Sequence, residues 1–88
     1  MPNWEEKNNI LTKDFRLKGF NQALSFVNNI GVVANQVNHH PDLLIHGYSN
    51  VEVRLSTHSA GGRVTEKDHE LAKKIDTLYQ QLTTKSNV

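Results

Sequence analysis

The sequence predicts an α+β domain in which an antiparallel four-stranded sheet carries two helices on one face, in the order strand-strand-helix-strand-strand-helix. Three observations predict it. Apolar residues alternate over 11–17, their spacing lengthens to three and four residues over 20–37, and both patterns return in the same order over 43–55 and 65–82.

A first short strand around residues 4–7 can pair with its successor. In the second strand Leu11, Lys13, Phe15 and Leu17 alternate with Thr12, Asp14 and Arg16, and the pattern ends near Lys18 and Gly19. From there Phe20, Ala23, Leu24, Val27, Ile30, Ala34 and Val37 fall on one face of a helix, with Gly19 as N-cap. Gly31 inside that helix costs roughly 1 kcal/mol relative to alanine, so a close backbone approach is expected there. Residues 43–46 form a short apolar strand and Gly47 to Asn50 a turn. Val51, Val53 and Leu55 then alternate with Glu52, Arg54 and Ser56, which completes a hairpin. Thr65 and Asp68 stand in a near capping-box arrangement before a helix whose apolar stripe is Leu71, Ile75, Leu78 and Leu82, and the closing TTKSNV is expected to fray.

Composition narrows the functional classes. A chain of 88 residues, 36% hydrophobic and 22% charged, reads as one globular domain over 1–88 with a small core. Ten Lys and Arg against nine Asp and Glu are spread without a basic block, so no nucleic-acid partner is implied. No apolar run approaches the ~20 residues of a membrane span, and MPNWEEKNNIL lacks the order of a signal peptide; a cytoplasmic protein is expected. Without cysteine there is neither a disulfide nor a thiolate ligand or nucleophile.

Four of the five histidines, His39, His40, His46 and His58, fall within NQVNHHPDLLIHGYSNVEVRLSTH. Pro41 keeps His40 out of the helix, so His39 and His40 belong to the connection that follows it. If Val51, Val53, Leu55 and Thr57 face the helices, strand period sends His58 to the uncovered face at a strand end. Imidazoles from the loop and from the strand end can then line one cleft. Because imidazole gives or accepts a proton near neutral pH, one ring can protonate a leaving group while another removes a proton elsewhere. A solvated His-His-Pro turn is the other reading. His46, beside the hairpin turn, and His69, on the polar side of the second helix, read as structural. A metal site is disfavoured, since neighbouring His39 and His40 diverge and neither HxH nor HExxH spacing occurs.

NHHPD, the aromatic Tyr48, LSTH ending at His58 and TEKD ending at Asp68 together resemble the signature of the pterin-4a-carbinolamine dehydratases. The resemblance extends from Trp4 to about Leu82 and includes the order of elements. It implies dehydration of 4a-hydroxytetrahydropterin to the quinonoid dihydropterin, in recycling of a tetrahydrobiopterin-type cofactor after aromatic amino acid hydroxylation. It implies catalytic roles for His39, His40 and His58, and pterin contacts from His39, His40 and Pro41 and from Thr57, His58, Ser59 and Ala60. The pterin is the substrate, so no separate cofactor or metal is expected. Asp68 has two readings, a helix N-terminal acid or a site residue. A homodimer or homotetramer is expected, both from the family and because short strands leave sheet edges to cover. A non-catalytic interaction protein of the same fold, a transcriptional coactivator or assembly chaperone, is the alternative. Asn35 stands where the family usually has a charged residue or histidine, and its spacing of four from His39 suggests that these two side chains touch. The glycine-rich SAGGRVTEK between His58 and Asp68 is a second departure.

Overall fold

The computed structural model describes residues 4–84, apart from the side chain of His58. Strands β1 (Glu5–Lys7) and β2 (Ile10–Arg16) precede helix α1 (Phe20–Val37), and β3 (Asp42–His46) and β4 (Asn50–Leu55) precede α2 (Glu66–Thr84). A single 3-10 turn, His58–Ala60, lies between β4 and α2. The strands form one antiparallel sheet in the order β1-β2-β4-β3. The predicted order of elements, the two hairpin pairings and the bounds of α1 are those observed, and the pairing of β2 with β4 that joins the hairpins is added by the structure.

Register explains the two-layer build. Leu11 pairs with Leu55 and Phe15 with Val51 across β2 and β4, so residues spaced by two deliver one apolar face. Phe15, Val51, Val53 and Leu55 are buried there beneath Phe26 and Ile30 of α1 and Leu71 and Ile75 of α2. Phe15, Phe26 and Tyr79 meet with ring centroids 5.0–5.7 Å apart. These aromatics join both helices to the sheet. Asp76 fixes α2 along its axis by accepting from Trp4 Nε1 and from Lys13 Nζ at 2.9 Å.

The buried stripe of α1 is rotated from the one the spacing suggests. It consists of Ala23, Phe26, Ile30 and Ala34, whereas Phe20, Leu24 and Val37 are 50%, 39% and 42% exposed. The helix is apolar around more than one face, and only packing selects Phe26 over Leu24. At the other end of the chain, Thr83 and Thr84 of the closing segment continue α2, and the rest of that segment lies outside the described residues.

Gly31 also differs from expectation: a Cβ built there meets no atom within 4 Å. Its cost is therefore backbone entropy with no compensating close approach among the described residues. Gly31→Ala should stabilise the protein by about 0.5–1 kcal/mol, read as a higher urea midpoint at unchanged m-value. A loss of stability would instead mean that a second molecule packs closely on this turn of α1.

Candidate active site

The end of α1 sets the directions of the two adjacent histidines. Asn38 takes a left-handed conformation, φ 54° and ψ 45°, and His39 N–H then reaches back to the Ala34 carbonyl at 3.0 Å. Pro41 follows, and β3 starts at Asp42. This reversal turns His39 inward, where its side chain is 13% exposed, and leaves His40 outside. His40 Nε2–H donates to Asn35 Oδ1 at 2.8 Å. The expected contact of Asn35 with His39 is thus replaced by one with His40, because the helix stops at Val37 and the left-handed residue swings the chain by one position.

Opposite lies the loop after β4. The strand ends at Leu55, three residues before His58, so His58 opens the 3-10 turn and does not sit at a strand end; its side chain lies outside the described residues. Thr57 is buried as strand period requires, and it bridges to Arg63, whose carbonyl accepts Thr57 N–H at 2.9 Å. Gly61 and Gly62, with φ of 78° and 75°, make the reversal that this bridge needs. The glycine-rich departure is therefore a loop closure. The Thr57 carbonyl accepts the amides of Ala60 and Gly62, both at 3.1 Å.

Asp68 joins the two loops. Its carboxylate is sealed from solvent and accepts from three donors: His39 Nε2–H at 2.5 Å, the Thr57 hydroxyl at 2.8 Å and Thr65 N–H at 2.9 Å. Since the Thr57 proton is committed to Asp68, the Thr65 hydroxyl must donate in the 2.7 Å contact between the two threonines. Burial pushes the Asp68 pKa up, but the hydrogen bonds from His39, Thr65 and Thr57 and the nearby His39 charge outweigh it and hold the carboxyl below its usual range. An ionised carboxylate only accepts, so the His39 nitrogen facing it carries a proton, and in the neutral form of the ring Nδ1 is the nitrogen with the free lone pair. Asp68 is an acid in the first turn of α2, as the first of its two readings has it, and it is also the partner of His39.

A cleft of about 500 Å³ opens beside this pair. Of the residues singled out in the sequence, His39, His40, Pro41, Thr57 and Ser59 line it, Asp68 stands behind His39, and Ala60 contributes only its backbone bond to Thr57. Asn38, Asp42 and Lys67 also line it and were not anticipated. Lys67 lies within TEKD, so the motif that pointed to Asp68 also contained it. His46 lies elsewhere, paired with the Asp14 carboxylate at 2.9 Å on the uncovered face of the sheet. His69 is an exposed residue of α2. Among the described residues no three His, Asp or Glu side chains converge as a metal-holding group, and no helix is long and apolar enough to cross a membrane.

The chain has relatives in both sequence and fold. The family profile for pterin 4 alpha carbinolamine dehydratase matches residues 1–78. A Sulfolobus acidocaldarius protein named "Putative pterin-4-alpha-carbinolamine dehydratase" is 49% identical over 75 residues, 85% of this chain and 80% of that protein. A protein of the same name from Sulfurisphaera tokodaii is 46% identical over 78 residues, 89% and 82% of the two chains. The crystal structure of a transcriptional coactivator/pterin dehydratase from Brucella melitensis superimposes with a TM-score of 0.78 at 31% identity, covering 86% of this chain and 81% of that one. A pterin dehydratase-like protein identified as a RuBisCO assembly factor in the alpha-carboxysome shares the fold, with a TM-score of 0.70 at 19% identity over 89% and 88% of the chains. The chain belongs to the pterin-4a-carbinolamine dehydratase family.

The sign of the Asp68 shift gives a pH test. A carboxyl whose native pKa lies below its unfolded value contributes stability that is present above the unfolded value and lost as the pH falls through the native one. Asp68→Asn should cost about 1–3 kcal/mol near neutrality, since one or more buried donors lose their acceptor. It should also flatten the acid side of the stability curve. Urea unfolding between pH 3 and 7 measures both effects, and an equally steep acid loss in the variant would assign that loss to other groups.

Proposed function

We propose that this protein dehydrates a 4a-hydroxytetrahydropterin to the quinonoid dihydropterin, within the recycling of a tetrahydropterin cofactor. The observation that carries the reading is the fixed His39 ring: a buried carboxylate holds Nε2–H, so Nδ1 is left to work beside a cleft large enough for a bicyclic ligand. Elimination across C4a and N5 requires a base at a ring nitrogen and an acid at the departing hydroxyl. His39 is assigned as the base. His58 is assigned as the acid, on the strength of the family signature. His40, tied to Asn35, helps to seat the ring. Thr57 holds Asp68 in place, and Pro41, Ser59 and Ala60 belong to the segments that border the ligand. The reaction so written needs no metal and no second cofactor.

We further propose a homodimer or homotetramer that covers the free edges of β1 and β3. A protein-binding role without catalysis is the competing class. The similarity to a transcriptional coactivator/pterin dehydratase from Brucella melitensis supports it.

Stopped-flow decay of a pterin carbinolamine, with and without the protein, separates the two. Acceleration is expected, and His39→Ala and His58→Ala should each lower kcat by about 10²-fold, the usual scale for losing a general acid or base. His46→Ala should change little. No acceleration by folded protein would leave the non-catalytic reading standing.

The position of Asn35 refines the assignment. Asn35→Asp places a carboxylate against His40, at an exposed site where solvent and salt screen it from His39. With His39 as base, the acidic limb of the kcat/KM profile should move by less than about half a pH unit. A larger shift to higher pH, the direction expected when a carboxylate favours the protonated form of the essential base, would transfer that role to His40.

A further inference from the structure

Beside His39 lies a second hollow, of about 230 Å³, that the dehydration chemistry does not use. It is lined by Val37, His39, Lys67, Glu70, Leu71 and Lys74. His39 and Lys67 line this hollow and the larger cleft alike, so both spaces border the same two side chains. Its floor is apolar, with Leu71 fully buried and Val37 at the end of α1. Lys67 and Lys74 stand seven residues apart on α2, two turns along one face. Two ammonium groups against the single Glu70 carboxylate leave the lining positive, and none of the three is in an ion pair with a described residue.

Resting on the dehydratase reading, we propose that this hollow is a subsite for an anionic tail on C6 of the pterin, with Lys67 and Lys74 as specificity-determining residues. The argument is one of connectivity. In a pterin the variable side chain is attached to C6, and C6 is bonded to N5, one of the two atoms between which the double bond forms. If His39 works at that bond, the tail leaves the ring within a bond or two of His39. The hollow borders that same imidazole. Its apolar floor suits the carbon atoms of a short tail, and its lysines suit a terminal phosphate or carboxylate. A purely neutral tail would leave both ammonium groups without a ligand.

The test uses 6-hydroxymethylpterin and its phosphate monoester, a matched pair of stable fluorescent pterins, with equilibrium binding followed by fluorescence quenching. An exposed charge pair contributes up to about 1 kcal/mol, roughly a five-fold change in affinity, so two lysines should make the ester bind more tightly than the alcohol by up to about 25-fold at low salt. That preference should shrink in Lys74→Gln, vanish in Lys67→Gln/Lys74→Gln and weaken as salt is raised. Glutamine keeps the helical propensity, and circular dichroism checks the fold. The decay of a carbinolamine with a neutral 6-methyl tail is measured alongside. Equal affinity for the two pterins, or a preference that survives the double substitution, overturns the subsite while catalysis of the 6-methyl substrate keeps the dehydratase reading. If neither pterin binds and the 6-methyl carbinolamine decays at its spontaneous rate, the dehydratase reading fails and the subsite with it.

Discussion

A carboxylate sealed from water must be matched donor for donor, and Asp68 draws its three donors from three segments of chain. His39 comes from the connection after α1, Thr57 from the loop after β4 and the Thr65 amide from the entrance to α2. An ion of this kind stripped of its partners costs several kcal/mol, so the three segments are constrained together or not at all. Their joining places the end of α1, the end of β4 and the start of α2 at one edge of the sheet, and that junction is the wall of the cleft. The hydroxyl chain from Thr65 to Thr57 to Asp68 extends the same constraint to the glycine-rich loop.

The rest of the fold supplies the distances that this junction needs. β4 is one of the two inner strands, and its Val51, Val53 and Leu55 are buried in the core that α1 and α2 share. Asp76 and Tyr79 tie α2 to β2, the latter through a 2.8 Å bond to the Arg16 carbonyl. Because these contacts lie two to three turns beyond Asp68, they restrict how far α2 can slide along its axis. A sliding helix would carry Asp68 away from His39, and close-packed interiors resist such shifts.

Most of this architecture is legible in the sequence because it follows from period. Alternation in 11–17 and 51–55 and the spacing of three and four in 20–37 and 71–82 are consequences of pleat and helical pitch. What period does not carry is choice among equivalent faces and partners. Phe20, Leu24 and Phe26 are all apolar residues of one helix, and only the packed sheet decides that Phe26 is the buried one. The partners of the histidines are likewise set by one backbone conformation, that of Asn38, which transfers Asn35 from His39 to His40. A signal for it was present, since asparagine is the residue after glycine that most readily ends a helix in the left-handed region. The Thr65-Asp68 spacing predicts the cap bond, and it is met; that the same carboxylate turns its other oxygen to His39 is a long-range contact that local spacing cannot encode.

Positive φ angles separate turns that serve the sheet from those that serve the site. Asn8 and Asn9 close the β1-β2 hairpin, and Gly47 and Tyr48 close the β3-β4 hairpin, as two strand reversals require. Asn38, Gly61 and Gly62 close no hairpin between sheet strands. They bend the chain directly before His39 and directly after the 3-10 turn that begins at His58, so positive-φ residues, of which only Asn38 carries a steric cost, bracket the residues with candidate chemical roles. Such conformations persist where surrounding contacts over-determine them. Here the contacts are the His39 amide on Ala34, the Thr57–Arg63 bridge and the bonds to Asp68. Removing the carboxylate would therefore release more than one hydrogen bond, because it would leave both bends without the partner that holds them facing each other.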